Sequence, residues 1–247
     1  MVPVGWHDTV RLTPADTFRF TCSDPSLPHD EGNLCVRAVR LMEGHHGKEA
    51  PFALHLDKRI PYGAGLGGGS SDAAQTLNLF QELPDWRVPA PVLHDMAARL
   101  GADVPFFLES QPARATGRGE VLEALDGVLP LPFAVLVICP PVHVDTATAY
   151  RHVIPSSEGR PDLAELVQEK APERWRQHLC NDFEASVFRA HPGIQALKMR
   201  LQESGAVYAA MSGSGSSVFG LYEDPEALKG AVAMFDRRLY RVWAEAA

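Results

Sequence analysis

The chain has 247 residues, enough for one large domain or two intimate lobes, each with its own core. Hydrophobic residues make up 45% and charged residues 22%, an ordinary soluble globular balance, and no apolar run reaches the length of a membrane span. The formal net charge of -8 comes with no basic stripe, which argues against a nucleic-acid partner; phosphates would have to be held by backbone N–H groups, helix N-termini and a few Lys or Arg.

The opening segment, MVPVGWHDTV, has neither a basic n-region nor an apolar h-region, so no secretory signal is expected there and a cytoplasmic location is. Residues 17–22, TFRFTC, alternate Phe18, Phe20 and Cys22 with polar neighbours and predict a half-buried strand. After a turn-rich stretch, Asn33 can cap a helix with Leu34, Ala38, Leu41 and Met42 on one face, ending near Gly47. FALHLD (52–57) alternates again, with Phe52, Leu54 and Leu56 pointing one way. Beyond a glycine-rich segment, Ala73, Ala74, Leu77 and Phe80 recur at helical spacing, and a second helix is expected over about 91–100. VPFFL then reads as a strand or buried extended run, RATGRGEVLEAL as a hairpin around Gly117 and Gly119, and FAVLVICP (133–140) as a strand buried on both faces. The second half predicts helices near 161–169, 182–190 and 193–204, a strand at 206–211, a Gly-Ser cluster, a strand at 217–222, a helix from Asp224 to about Phe235 and a last strand at 239–243. This is an α+β layout, divided as 1–140 and 141–247, with SSEGR (156–160) the best surface-loop or boundary candidate. Cys22, Cys35, Cys139 and Cys180 form no CxxC pair and lie in apolar or mixed stretches, so buried free thiols are expected. His45 and His46, adjacent at a helix end, are expected to be solvated rather than metal-bound.

The segment Pro61, Tyr62, Gly63, Ala64, Gly65, Leu66, Gly67, Gly68, Gly69, Ser70, Ser71 lies between a strand and an amphipathic helix. Its glycines permit close backbone approach, and the first amides of the following helix have no internal partners and carry the positive dipole end. Together they make a phosphate cradle, to which Ser70 and Ser71 add hydroxyls; a flexible linker would not carry Leu66 inside it or run straight into a helix. No Gly-Lys-Ser/Thr follows, so it is not a Walker A loop, and the dinucleotide fingerprint is absent too.

LDKRIPYGAGLGGGSSDAAQTL resembles the second motif of the GHMP kinase superfamily, LGADVPFFL (100–108) the segment with the catalytic aspartate of its diphosphocytidyl-methylerythritol kinase branch, and MSGSGSSVFG (211–220) the third, C-terminal glycine motif. HDEGNLCVRAVRLM resembles the branch's helix start, and the motifs keep family order over nearly the whole chain. The resemblance implies an N-terminal lobe like the ribosomal S5 fold packed on a ferredoxin-like C-terminal lobe. It implies ATP as phosphoryl donor, Mg²⁺, and a small-molecule acceptor, a cytidine diphosphate-linked sugar alcohol, phosphorylated on its 2-hydroxyl in isoprenoid precursor synthesis. Neither a nucleic acid nor a membrane is an expected partner, and the chain would be a monomer or homodimer.

By the same resemblance Asp103 accepts or orients the proton of the reacting hydroxyl; a plain turn Asp before Pro105 is the alternative. Lys58, which Arg59 follows, would lie by the nucleotide, unless the two are a solvated basic pair at a strand end. Asn33 and Leu34 would border adenine, or be an N-cap and a core Leu. Gly213, Ser214 and Gly215 would set a backbone turn near phosphate or substrate diphosphate, or a ligand-free β-turn. Thr146 and Tyr150 would contact nucleotide or substrate, the Tyr by stacking on a base, or pack at a rim. Asn181-Asp182 fits both an N-cap for the helix with Phe183 and Val187 and a family Asn-Asp pair. Homoserine or mevalonate kinase types, and a nucleotide-binding remnant without turnover, are the competing functions. The family pattern begins with a Lys-x-Asn-Leu strand and an Asp-Gly-Tyr-His loop, which MVPVGWHDTVRL does not match; Met1 is therefore expected to be internal, and an upstream extension to improve stability and turnover.

Overall fold

A computed structural model of the chain describes residues 1–153 and 159–246, and these divide into two compact units. Unit 1 holds Met1–Tyr62 and Gly67–Leu125; unit 2 holds Gly63–Leu66 and the residues from Asp126 onward. The division falls after Leu125 and not at 140, because the apolar strand at 134–139 is hydrogen-bonded into the second unit's sheet. Of the boundary candidate SSEGR, residues 156–158 lie outside the described residues.

In unit 1, strand β1 (Thr9–Pro14) pairs antiparallel with β3 (Phe52–Asp57), and β2 (Arg19–Cys22) pairs parallel with the other edge of β3. β1 is a strand that the sequence pattern alone did not suggest. Leu54 and Leu56 of β3 are buried, as the alternation predicts. Helix α1 (Leu34–His46) starts at Asn33, whose side chain accepts from the Cys35 amide, and stops at left-handed Gly47. Helix α2 (Gly68–Gln81) buries Ala73, Ala74, Leu77 and Phe80 in the core shared with α1 and α3 (Ala90–Leu100). VPFFL is not extended: it is α4 (Val104–Glu109). Five apolar residues have no periodicity to separate strand from helix, Pro105 is tolerated in a first turn, and packing on α2 decides, with Asn78 Nδ2 donating to the Leu108 carbonyl. β4 (Ala113–Thr116) and β5 (Val121–Ala124) form the expected hairpin.

In unit 2, the sheet order is β7 (Tyr208–Met211), β8 (Val218–Tyr222), β6 (Ala134–Cys139), β9 (Arg241–Glu245), all antiparallel. Leu136 and Ile138 of β6 join one apolar cluster with residues of α8 (Glu184–Ala190), α9 (Pro192–Glu203) and α10 (Pro225–Ala233), while Phe133 and Val135 join another with Leu166 and Trp175. Period-2 alternation with helices on both faces explains why β6 reads as one continuous apolar run. Leu166 lies on α6 (Leu163–Gln168), and Trp175 on α7 (Pro172–His178), a helix too short to leave a sequence pattern; α5 (Thr146–His152) is another. Among the described residues no helix is long and apolar enough to cross a membrane. The four cysteines are free thiols, but only Cys35 and Cys139 are buried; Cys22 is half-buried and Cys180 exposed, since it sits in the link between α7 and α8 rather than in a core element.

Candidate active site

The glycine-rich segment is divided between the units, and each residue singled out from the sequence belongs to one or the other. In unit 1, Gly67 precedes α2 with φ 69°, a left-handed conformation that favours glycine. A Cβ there would also lie 2.8 Å from the Phe107 ring of α4, so a side chain is excluded twice over. No side chain caps the helix, and its first i→i−4 bond is made by Ser71 N to Gly67 O at 2.9 Å. The amides of Gly68, Gly69 and Ser70 therefore precede the helical ladder at the positive end of a 14-residue helix. Leu34 at the start of α1 comes within 3.9 Å of the position a Gly69 Cβ would take, which brings Asn33 and Leu34 beside the same turn.

Asp103 is the N-cap residue of α4, one helical turn before Phe107. The packing of Phe107 against Gly67 thus seats α4, the helix that Asp103 begins, on the end of the glycine segment, inside one unit. Asp103 is an exposed residue, and its carboxyl neighbours Gly119 of the hairpin, whose added Cβ would stand 3.5 Å from Asp103 Oδ1. No hydrogen bond or ion pair holds the carboxyl among the described residues, and partial desolvation raises it above the usual carboxylate range, which makes it a better base.

Lys58 is not a solvated base. Its side chain is 4% exposed, and its ammonium donates to Asp8 Oδ2 at 2.5 Å and Asp72 Oδ2 at 2.8 Å. Burial alone would lower its pKa; the two carboxylates outweigh that and hold it above the ordinary value. Arg59 alone matches the solvated reading, with its guanidinium on Asp57 at 3.2 Å. Asp8 and Asp72 were missed from sequence. Asp72 follows Ser71 directly, an acid in the first turns of the helix fourteen residues after a lysine, which was a usable signal. Nothing local marks Asp8, because only β1–β3 pairing brings it there.

In unit 2, Gly63–Leu66 runs along the Gly-Ser turn after β7. Ser217 N donates to Ala64 O at 3.0 Å, and Ser212 Oγ donates to Gly65 O at 2.8 Å. At Gly65, φ is 75° and a Cβ would collide with the carbonyls of Ser212 and Gly215. Thr146 Oγ1 and Ser214 Oγ lie 3.1 Å apart, joining the start of α5 to the turn. Gly213 is exposed, Ser214 and Gly215 are buried, and Asn181 Nδ2 donates to the carbonyls of Met211 and Gly213 at 2.8 Å each. Asn181 also accepts from Phe183 N, while Asp182 pairs with Arg160. Tyr150 is 61% exposed and meets Phe183 edge-on, and Tyr62, in unit 1, is 68% exposed. His143 was also missed: its ring Nδ1 is 2.9 Å from where a Gly63 Cβ would be. His46 is half-buried against Trp86, and among the described residues no cluster of His, Cys, Asp and Glu is placed to hold a metal ion.

Known proteins resemble this chain over nearly its full length. The profile described as GHMP kinases N terminal domain matches residues 33–111, and GHMP kinases C terminal matches 163–241. A 4-diphosphocytidyl-2-C-methyl-D-erythritol kinase of Salinibacter ruber is 45% identical over 93% of this chain and 82% of its own length. The protein of that name from Chlorobium limicola is 43% identical over 97% of this chain and 84% of its own length. The crystal structure of a 4-(cytidine 5'-diphospho)-2C-methyl-D-erythritol kinase superposes with a TM-score of 0.78 at 36% identity, covering 96% of this chain and 84% of that one. A homoserine kinase from Cytophaga hutchinsonii, at 20% identity and TM-score 0.73 over 97% of this chain and 84% of its own, shares the fold.

Proposed function

Because the chain belongs to the GHMP kinase family, in its 4-diphosphocytidyl-2-C-methyl-D-erythritol kinase branch, we propose that it transfers the γ-phosphoryl group of ATP to the 2-hydroxyl of that cytidine diphosphate-linked sugar alcohol. The single observation that supports the site assignment is the seating of Phe107 against Gly67: the ring stands one helical turn after Asp103, whose carboxyl has no hydrogen bond or ion pair among the described residues, and Gly67 opens an uncapped helix.

In this reading the polyphosphate lies on the main-chain amides between Pro61 and Ser71, with the Ser70 and Ser71 hydroxyls as further donors. Asn33 and Leu34 border the adenine. Asp103 takes the proton of the 2-hydroxyl as its oxygen bonds to the γ-phosphorus; the bond from that phosphorus to the β–γ bridging oxygen breaks, and ADP leaves. The Thr146 and Ser214 hydroxyls, the turn Gly213–Gly215 and the exposed Tyr150 ring serve the substrate, the ring by stacking on a base. Much of the acceleration comes from positioning and from amides already aimed at the developing charge. When bound, Mg²⁺ would supply positive charge to neutralise the polyphosphate. The oxygen donors near the cradle, Ser70, Ser71 and Asp103, suit a hard cation held largely by phosphates and water rather than by a protein cage.

A substrate panel tests the reading. With ATP present, ADP release and a monophosphorylated product are expected with the cytidine diphosphate-linked alcohol, and rates lower by at least about 100-fold with homoserine or mevalonate. Preference for either of those acceptors, or ATP binding with no turnover on any alcohol, would overturn it.

A further inference from the structure

Lys58, Asp8 and Asp72 form a cluster at the two ends of the glycine segment, and all three side chains are nearly sealed from solvent, at 4%, 2% and 5% exposure. Asp8 holds the entry: its Oδ1 accepts from the amides of Arg59 and Ile60 at 2.5 and 2.8 Å, while Ser23 Oγ accepts from Lys58 N. Asp72 belongs to α2 and stands five residues past Gly67, beyond the exit. The Lys58 ammonium joins the two, and it lies directly under the first turn of α2, where a Cβ on Gly68 would be 3.1 Å from Nζ.

From this geometry we infer that Lys58 is a positioning residue: with Asp8 and Asp72 it clasps the entry and exit of the glycine segment and so fixes the amides of Gly68, Gly69 and Ser70 in the geometry that receives polyphosphate. The inference rests on the phosphate-cradle reading above. It differs from a direct contact between Lys58 and the nucleotide, since the ammonium is already spent on two buried carboxylates. A glycine-rich loop has much conformational freedom to lose, and pinning its ends beforehand lowers the ordering cost that a ligand would otherwise bear. The clasp therefore acts on the phosphate portion of ATP and leaves the nucleoside portion alone.

The variant that tests this is Lys58→Met combined with Asp72→Asn. At about pH 8, where the Asp72 carboxyl is ionised, one cation and one anion go together, so the formal charge beneath the cradle is unchanged and Asp8 keeps its backbone partners. Displacement of a fluorescent ATP analogue gives dissociation constants for ATP, tripolyphosphate and adenosine, independently of any turnover. Weaker binding of ATP and of tripolyphosphate by about tenfold, with adenosine within about twofold, is expected. If the double variant melts below the assay temperature, Asp72→Asn alone, which leaves Lys58 on Asp8, is expected to give the same pattern in smaller degree. Unchanged tripolyphosphate affinity overturns the inference, as does an equal loss of adenosine, which would mark a base contact or general loosening. Wild-type protein that binds ATP but phosphorylates no alcohol sinks the proposed activity and leaves the clasp to be judged by these constants. Wild-type protein that binds neither ATP nor tripolyphosphate overturns both.

Discussion

Gly67 is where backbone chemistry and packing make the same demand. A left-handed φ and a phenyl ring 2.8 Å from where a Cβ would stand both exclude a side chain, so Gly67→Ala is expected to cost about 1–2 kcal/mol from the backbone alone and more from the displaced Phe107. Thermal melting together with the KM for ATP checks this; an alanine variant equal to wild type in both would contradict it. Asp72 makes a different prediction. Burial, with a smaller contribution from Asp8 and opposed by Lys58, pushes its carboxyl up from 3.8 to about 7. The folded chain thus binds that proton more tightly than the unfolded chain does. The stability gained is complete below the unfolded value and is lost as pH rises through about 7. Asp72→Asn should therefore flatten the fall in melting temperature between about pH 5 and about pH 8, and parallel curves for variant and wild type would count against the shift. The turn-forming glycines and the helix after them could be read from neighbouring residues, and Asp103 could be singled out through the resemblance of its segment. Asp8 could not, since its partners Lys58, Arg59 and Ile60 are some fifty residues away.

Helices with a full amphipathic stripe, α1, α2 and α3, and strands with strict alternation, such as β3, were legible because their period is longer than any single ambiguity. The failures share a cause. α4, α5 and α7 have six or seven residues each, too few for a 3.6-residue period to declare itself, and they are fixed by contacts such as the Trp175 indole N–H donating to Leu166 O. β6 illustrates another case, where burial on both faces removes alternation and leaves a run rich in β-branched residues that reads as a buried strand. Leu136 is fully buried at its centre, and Leu136→Ala is expected to destabilise the protein by about 2–5 kcal/mol. Denaturant unfolding measures this directly; a loss under about 1 kcal/mol would mean that the site can collapse around the truncation.

The α+β class and the kinase family were both legible, since three motifs in order carry more information than composition can. The division of the chain was not, because it depends on which sheet β6 joins, and an apolar run does not say. Nor does sequence reveal that the glycine segment is partitioned, with Gly63–Leu66 bonded to the Ser212–Ser217 turn and Gly67–Ser71 seated on α4. The two halves therefore act differently. The first is fixed by the C-terminal glycine motif, and the second opens an uncapped helix packed on α4. Single-turnover phosphoryl transfer by Asp103→Asn tests the whole account most directly. A drop in the chemical step of about 10²–10⁴-fold is predicted, with ATP and sugar-alcohol dissociation constants within about twofold of wild type. Transfer at an undiminished rate would contradict it.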